Sequence, residues 1–252
     1  RIKGESDIRD ILDVPLLGTI PLIVKDAESI KVFDSPKSSV AEAFRNLRTN
    51  LQFMSEEKEV HTIAVTSTVG GEGKTTVCIN LGAIMSMAGI KTVILNLDMR
   101  KPTLHQKFKL SNVKGMSTYL SGRSTLSDVI QHSEHEHLDI ITSGPVPPNP
   151  SELIQSAYME KILLELKEIY DVIILDTPPV GLVTDARTVM HLADTSIYVL
   201  RAEYSKKEYL RKIKELSSFK EIGSLSMILN AVPLGKDGYG YGYGYGYYED
   251  DK

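Results

Sequence analysis

The sequence has one cysteine, no long apolar run and no large excess of charge of one sign. The single cysteine, Cys78, excludes a disulfide framework within the chain and is typical of a reducing compartment. Its position just inside a predicted helix indicates a small buried core residue rather than a nucleophile. No run reaches the roughly 18 apolar residues that span a bilayer, and no stretch reads as a signal peptide. The net charge of -4 argues against nucleic-acid binding by the surface as a whole.

The chain is long enough to bury one full core, and its composition is ordinary for a soluble globular protein, with 42% hydrophobic and 25% charged residues. It starts at Arg1 without a methionine, so we expect a fragment or a processed product and leave an upstream membrane anchor open.

Strand patterns alternate with helix patterns, which requires a mainly parallel sheet covered on both faces. The sequence therefore predicts one doubly wound α/β domain over residues 1–237, opening with an N-terminal segment over 1–37. The predicted strands are 16–20, 62–65, 92–97, 138–142, 172–175, 196–200 and 225–229. The predicted helices are 6–12, 38–54 with Ser39 as its cap, 75–87, 103–108, 126–131, 151–169, 185–192 and 206–219, and residues 25–37 are predicted to be a loop.

A glycine-rich loop between a predicted buried strand and a predicted helix organises the chain. Its glycines allow a tight turn that brings backbone N–H groups close to an anion, and the following helix adds the positive end of its dipole. Lys74 adds a formal charge, and Thr75 offers a hydroxyl to Mg²⁺. The pattern is a Walker A variant, because Thr68 replaces the usual first glycine. The loop residues predicted to bind a nucleoside triphosphate are Gly70, Gly71, Glu72, Gly73, Lys74, Thr75 and Thr76.

Two predicted strands end in acidic residues at the carboxyl edge of the sheet, where such folds bind ligands. Asp176 follows strand 172–175 in a Walker B pattern, and Asp98 follows strand 92–97. In a pleated strand, positions 96 and 98 point the same way, so both side chains are expected to face the phosphates. An isolated aspartate at a strand end is usually a helix cap, but two beside a phosphate loop favour a Mg²⁺ site formed by Thr75, Asp98 and Asp176.

The last segment, 238–252, alternates glycine with tyrosine and then turns acidic at Glu249, Asp250 and Asp251. Half of the chain's 12 tyrosines lie in it. Glycine alternation cannot build a core, so the segment is predicted to be flexible, either as a stacking tail or as a cluster of phosphate acceptors. The candidate acceptors are Tyr239, Tyr241, Tyr243, Tyr245, Tyr247 and Tyr248.

Together these motifs resemble the bacterial tyrosine kinases, the cytoplasmic kinase domains of capsular and exopolysaccharide co-polymerases. The resemblance covers nearly the whole chain: the variant Walker A loop, the strand end at 96–102, the Walker B strand end at 174–179 and the proline-rich stretch 144–153 all match. Upstream, Glu42, Arg45 and Arg48 match the Glu-x-x-Arg-x-x-Arg motif of the family, which mediates assembly into a ring. Without the resemblance, that triplet would be an ordinary solvated helix face.

The resemblance implies a P-loop protein-tyrosine kinase that uses ATP and Mg²⁺ and phosphorylates the tyrosine cluster in trans within a ring, so that the added charge loosens the assembly. It also implies a membrane-embedded co-polymerase or activator, fused or separate, a cognate tyrosine phosphatase and a polysaccharide machinery as partners, with no nucleic acid. The chain would then be a severed cytoplasmic domain at the inner face of the bacterial plasma membrane. The positions implied to be catalytic are Lys74, Asn96, Asp98 and Asp176.

Asn96 is the one departure from this pattern, because the family usually has aspartate there, the residue proposed to activate the acceptor tyrosine. An amide can hydrogen-bond a phenol but is not a usable base. Either this chain is a variant with that carboxylate neutralised, or the natural protein tolerates asparagine. We hypothesise the former, so that activity is low and the tail is mostly unphosphorylated.

Two other functions compete with this interpretation. A ParA/MinD-like partitioning or positioning ATPase would carry a lysine where this loop has Val69, and it would lack the tyrosine tail. A catalytically silent, nucleotide-gated scaffold would assemble through the helix at 38–54 without phosphoryl transfer, and Asn96 favours that alternative.

Three lesser signals remain. Asn230 follows a predicted strand and is either an adenine contact or a turn residue. His132, His135 and His137 suggest a metal site, but histidines on an acidic loop are more often solvated and no cysteine supports zinc, so we reject a metal site there. A basic helix face is usually solvated, although it would suit an acidic partner or the inner leaflet; it comprises Lys206, Lys207, Arg211, Lys212 and Lys214.

Overall fold

A computed structural model describes residues 1–9, 13–23, 30–54, 61–180 and 185–233. The tyrosine-rich segment 238–252 and its six candidate acceptors lie outside the described residues. None of the described helices combines the length and the apolar character needed to cross a membrane.

Eight strands form one sheet in the order β1-β8-β7-β2-β6-β3-β5-β4. Every described strand pair is parallel except β4 with β5, which is antiparallel. The mainly parallel sheet of the prediction is therefore confirmed. The strands are β1 (Leu16–Pro21), β2 (His61–Ser67), β3 (Thr92–Asn96), β4 (Ile130–His132), β5 (Leu138–Ile141), β6 (Val172–Asp176), β7 (Thr195–Arg201) and β8 (Ser224–Val232).

Helices cover both faces of this sheet, as a doubly wound fold requires. They are α1 (Ser6–Arg9), α2 (Lys31–Asp34), α3 (Ser39–Met54), α4 (Lys74–Ser86), α5 (Leu104–Lys107), α6 (Met116–Leu120), α7 (Leu126–Val129), α8 (Pro150–Ile154), α9 (Ala157–Lys167), α10 (Asp185–His191) and α11 (Tyr209–Ser217).

Two hydrophobic clusters, one on each face of the sheet, form the core. Side chains from α2, α3, α4 and α5 pack into one cluster, and side chains from α6 to α11 pack into the other. Alternate residues of β6 enter opposite clusters: Ile174 packs with the first, and Ile173 and Leu175 pack with the second. A strand buried on both faces reads as a continuous apolar run, which is why β2, β3 and β6 were recognisable in the sequence. Cys78 is completely buried on α4, which confirms its prediction as a core residue.

The structure corrects the predicted helices in several places. The helix expected over 126–131 ends at Val129, because Ile130 is already extended and begins the antiparallel edge strand β4. The long helix expected over 151–169 is broken into α8 and α9 at Ser156, whose backbone is extended and whose hydroxyl donates to the carbonyl of Leu153 at 2.7 Å. The hydroxyl that caps α3 belongs to Ser38, not Ser39, since Ser38 Oγ accepts the N–H of Ala41 at 3.2 Å.

The predicted loop 25–37 contains the short helix α2. The N–H of Val32, at its first turn, donates to Asn80 Oδ1 of α4 at 3.1 Å. Val32 is fully buried, so this contact attaches the N-terminal segment to the helix that follows the glycine-rich loop.

Candidate nucleotide and phosphoryl-transfer site

The glycine-rich loop joins β2 to α4 at the carboxyl edge of the sheet. Gly71 and Gly73 have φ angles of 85° and 99°, which side-chain-bearing residues rarely adopt. A Cβ added to Gly73 would lie 2.1 Å from Asn230 Nδ2, so the backbone must come this close without a side chain. Lys74 opens α4 with its side chain largely buried, and Thr76 is exposed.

Three donors hold successive carbonyl groups of this loop. Tyr204 OH donates to the carbonyl of Gly70 at 3.0 Å, Arg201 Nη1 to that of Gly71 at 2.9 Å, and Asn230 Nδ2 to that of Glu72 at 3.0 Å. In a planar trans peptide the N–H points opposite to the C=O. Fixing these carbonyls therefore turns the N–H groups of the next three residues, 71–73, toward the other side, where they can meet an anion.

Glu72 supports the loop from within. Its side chain is completely buried, Oε2 accepts the N–H of Val69 at 2.9 Å, and Oε1 accepts the hydroxyl of Ser205. The predicted contact of Glu72 with the nucleotide therefore rests on its backbone N–H, because its carboxylate is committed to the loop.

Thr68, which stands in place of the usual glycine, contacts β7. Its hydroxyl lies 2.6 Å from the hydroxyl of Tyr198, and both side chains are buried. Burial raises the pKa of Tyr198 well above its usual value, so the phenol stays neutral as a hydrogen-bonding partner. The non-glycine residue at this position thus fastens the start of the loop to the neighbouring strand.

Sequence reasoning missed Arg201, Tyr204 and Ser205 as parts of the site. They lie about 130 residues after the loop they support, and no local motif marks them. The only available signal was their position just after a predicted strand, at the ligand-binding edge. Asn230 lies within β8 and is buried, so its interpretation as a turn residue is wrong. Its predicted contact with adenine stays a prediction.

Asp176, the last residue of β6, forms the floor of the site. Thr75 Oγ1 donates to Asp176 Oδ2 at 2.8 Å, whereas Oδ1 is buried with no hydrogen-bond partner in the described part of the chain. Burial raises the pKa of the carboxyl to about 6, and the charge of Asp98 adds to this shift, while Lys74 and the Thr75 hydroxyl oppose it. A buried, unpartnered carboxylate oxygen beside a threonine hydroxyl is the kind of donor set that Mg²⁺ takes, so the residues present fit the predicted metal.

Asn96 and Asp98 form a turn at the end of β3, next to this floor. Asn96 pairs with Asp176 across the sheet and is almost fully buried. Its Oδ1 accepts the N–H of Asp98 at 3.1 Å, and Asp98 Oδ1 accepts the N–H of Lys101 at 3.4 Å. The strand ends at Asn96, so the pleat that was expected to align positions 96 and 98 does not extend to Asp98. Asp98 is near the site nonetheless, because its charge acts on the pKa of Asp176.

The structure does not bring Glu42, Arg45 and Arg48 to the nucleotide loop. They lie on α3, where Arg45 Nη1 contacts Glu42 Oε2 at 2.8 Å and a second nitrogen of Arg45 donates to the carbonyl of Pro36. Arg48 Nη1 donates to the carbonyl of Ile84 in the last turn of α4 at 3.1 Å. The motif therefore makes contacts within this chain, apart from any role between copies.

The three histidines lie in and beside the β4–β5 connection. His132 Nδ1 lies 2.8 Å from Asp139 Oδ1, and the ring of His135 stacks on Phe33 at a centroid distance of 3.6 Å. Among the residues described, no group of three or more potential ligands is arranged to hold a metal ion.

Comparisons with known proteins agree with this geometry. The sequence model of a family described as AAA domain matches residues 60–222. The tyrosine-protein kinase YwqD of Bacillus subtilis is 37% identical over 201 residues, which are 80% of this chain and 85% of YwqD. The putative tyrosine-protein kinase CapB of Staphylococcus aureus is 39% identical over 82% of this chain and 90% of its own length.

Among solved structures, the kinase domain of the Escherichia coli tyrosine kinase Etk matches with a TM-score of 0.86 and 30% identity, over 97% of this chain and all of that domain. The chain thus combines a glycine-rich loop, a buried lysine and an aspartate with an unpartnered carboxylate oxygen. It is also similar to tyrosine kinases over nearly its whole length. This chain belongs to the bacterial tyrosine-protein kinases, which are built on the P-loop nucleotide-binding fold.

Proposed function

We propose that this chain transfers the γ-phosphoryl group of ATP to tyrosines of the C-terminal segment of a neighbouring copy, within a ring. The observation that carries the proposal is the unpartnered Asp176 Oδ1 at the floor of a loop whose carbonyls are fixed so that the N–H groups of residues 71–73 are free to meet an anion. Phosphoryl transfer needs mainly positioning and neutralisation of charge, and the site offers both. The six tyrosines in 238–252 supply acceptors of the matching chemistry.

Each residue has a distinct part in this proposal. The N–H groups of 71–73 and the Lys74 ammonium hold the β- and γ-phosphates, and Thr75, Asp98 and Asp176 hold the metal. Mg²⁺, when bound, neutralises charge that develops on the phosphate oxygens. Asn96 hydrogen-bonds but takes no proton, and Asp98 and Asp176 are assigned to the metal, so the acceptor tyrosine lacks a dedicated base. We infer that this substitution makes the chain a slow kinase.

The wider assignment rests on the family. We propose a role in regulating capsular or exopolysaccharide polymerisation and export, at the inner face of the bacterial plasma membrane. A membrane-embedded co-polymerase or activator, fused or separate, and a cognate phosphatase are the proposed partners, and nucleic acid is not one of them. Assembly of the ring is assigned to Glu42, Arg45 and Arg48. The exposure of Glu42 and the exposed part of Arg45 support that assignment.

A catalytically silent scaffold is the second candidate, and one observation favours it. Asn96 has no ionisable group, and its amide oxygen accepts a hydrogen bond from the N–H of Asp98. The ParA/MinD-like alternative is weaker, because Val69 stands where those ATPases have a lysine.

Phosphotyrosine mapping separates these functions. The full chain and its Asn96→Asp variant are incubated with Mg²⁺–ATP, and phosphorylated residues are located by mass spectrometry, with Lys74→Met as the control for bound nucleotide. We expect slow modification of the tail in the parent chain, faster modification in Asn96→Asp and none in Lys74→Met. ATP hydrolysis by Asn96→Asp without any phosphotyrosine would remove the kinase proposal in favour of an ATPase.

A further inference from the structure

Two adjacent cations border the site on the flank opposite the Arg201 and Tyr204 contacts. Arg100 and Lys101 follow β3, both are exposed, and the backbone N–H of Lys101 donates to Asp98 Oδ1. In the sheet order, β7 and β8 lie on one side of β2, whereas β6, β3 and β5 lie on the other. Arg100 and Lys101 therefore lie on the β3 side of the site, away from β7 and β8, which hold the loop.

Arg100 is placed by the proline-rich stretch after β5. Its Nη2 donates to Ser151 Oγ at 3.1 Å, at the start of α8, which links the 98–102 turn to the 145–152 turn. Lys101 has no ion-pair or hydrogen-bond partner for its ammonium among the described residues. Lys101 thus presents positive charge at the edge of a site whose own side chains, Asp98 and Asp176, are acidic, and Arg100 beside it is held by Ser151.

The sequence of the tail complements this charge. Tyr247 and Tyr248 are followed directly by three carboxylates, those of Glu249, Asp250 and Asp251, whereas the four earlier tyrosines of the tail are flanked by glycine on both sides. An acidic segment that approaches Asp98 and Asp176 without compensation would be repelled. A cation next to these carboxylates offsets the repulsion. It also favours the alignment of the peptide in which the acidic residues lie beside the cation.

We propose that Lys101 forms a subsite for carboxylates that follow an acceptor tyrosine, so that the kinase prefers tyrosines with acidic residues on their C-terminal side. The inference rests on the proposed transfer to the tail and names its substrate class. It assigns the order of modification: Tyr248 and Tyr247 are phosphorylated before the four tyrosines nearer to the domain.

Steady-state kinetics with two peptides test the subsite. The first peptide carries residues 243–252 as they stand, and the second carries Gln and Asn in place of Glu249, Asp250 and Asp251. The enzyme is the full chain with Asn96→Asp and with its six tail tyrosines changed to Phe, so that the peptide is the acceptor that is measured. For this enzyme we expect the neutral peptide to have a KM roughly two- to fivefold higher than the acidic one at equal kcat.

Charge reversal distinguishes an ion pair from a general effect. Lys101→Glu should raise the KM of the acidic peptide roughly two- to fivefold or more, should not raise that of the neutral peptide, and should be compensated by a peptide with three lysines in place of the carboxylates. Lys91→Glu is the matched control, because Lys91 is also exposed but precedes β3 at the opposite edge of the sheet. High salt should remove the difference between the peptides.

The outcomes separate this inference from the proposed function. Equal KM values for the acidic and neutral peptides, or equal effects of Lys101→Glu on both, would overturn the subsite while leaving tail phosphorylation intact. Phosphorylation of neither peptide by any variant would overturn both. In the full chain with its tyrosines restored, early modification of Tyr239 ahead of Tyr248 would also count against the subsite.

Discussion

The hydroxyl of Tyr204 lies 3.0 Å from the carbonyl oxygen of Gly70 and donates a hydrogen bond to it, although 134 residues separate the two in the chain. The contact fixes the orientation of the peptide unit whose N–H, that of Gly71, would meet a phosphate in the proposed site. In that proposal, Tyr204 is a positioning residue for the nucleotide-binding loop.

Removing this hydroxyl should weaken nucleotide binding. We expect Tyr204→Phe to lower the affinity for Mg²⁺–ATP about two- to tenfold, because one net hydrogen bond contributes roughly 0.5–1.5 kcal/mol. Tyr158→Phe is the control, since Tyr158 is similarly exposed, 43% against 41%, and packs on Tyr119 away from the loop. Calorimetric titration measures both variants. Equal affinities would show that the loop keeps its shape without this donor.

Substitution of Gly73 should be far more damaging than substitution of Gly70. A Cβ on Gly73 would meet Asn230 Nδ2 at 2.1 Å, and the φ of 99° disfavours a side chain, whereas a Cβ on Gly70 meets nothing within 4 Å. We expect Gly73→Ala to lower ATP affinity roughly tenfold or more and Gly70→Ala to cost less. Circular dichroism checks that both fold. A ranking in the reverse order would contradict the loop geometry.

Asn96→Asp should accelerate phosphotransfer and also make the fold dependent on metal. A positioned base contributes on the order of 10²-fold or more in rate. The same change puts a carboxylate into a nearly buried position opposite Asp176, where like charges destabilise each other. We therefore expect its melting temperature to fall in EDTA and to recover with Mg²⁺, more than in the parent chain. Thermal melts of both chains, with Mg²⁺ and with EDTA, measure this. Equal melting temperatures of the variant and the parent chain in EDTA would refute the expected metal dependence.

Arg48→Ala and Arg45→Ala should differ in how much they lower stability, since both residues belong to the proposed assembly motif but only Arg48 holds the end of α4. Arg48 donates to the Ile84 carbonyl at the negative end of α4, in partly buried surroundings. We expect Arg48→Ala to lower the free energy of unfolding by about 1–3 kcal/mol. Arg45→Ala breaks an exposed pair with Glu42 and should cost roughly 1 kcal/mol or less while shifting the oligomeric state.

Urea melts and sedimentation velocity measure the two effects of these arginine variants. Were Arg45→Ala to leave the oligomer distribution unchanged, the assignment of this helix face to assembly would fail.

Tyr170 should contribute to the pH dependence of stability at alkaline pH. Its hydroxyl donates to Asp139 Oδ2 at 2.7 Å, and burial, reinforced by that carboxylate, raises its pKa well above the usual value of about 10. A raised pKa in the folded state means that the stability is fully present below the unfolded pKa and is lost as pH rises above it. We therefore expect the unfolding free energy to fall above pH about 10, and to fall less steeply in Tyr170→Phe. Parallel slopes in the two chains would contradict this.

The sequence revealed those parts of the site that lie close together along the chain. Glycines, a lysine and a threonine within a few positions define the loop, and Asp176 ends a continuous apolar run, so both could be found by spacing alone. Tyr204 and Ser205 could not, because a contact across more than 130 residues leaves no local pattern. The break between α8 and α9 at Ser156 could not be predicted either. The apolar residues on both sides keep a helical spacing, and a single serine that bonds to the Leu153 carbonyl does not interrupt that spacing.

Short elements at the edges were the least predictable parts of the fold. β4 is three residues long and owes its form to pairing with β5, whereas its own residues fit a helix as well. The prediction that the pleat of a strand aligns positions 96 and 98 was wrong, although both residues lie near Asp176. The strand ends at Asn96, and the Asn96 side-chain amide accepts the N–H of Asp98 and closes a turn.

The side chains that donate to the carbonyls of Gly70, Gly71 and Glu72 come from the end of β7, the turn after it and β8, so these three peptide units are held from one side of the loop. Substitutions at Arg201, Tyr204 and Asn230 should therefore change the affinity for nucleotide. Substitutions at Lys101, which follows β3 on the other side of the site, should change which acceptor peptides are preferred. The two properties of the kinase can accordingly be engineered apart.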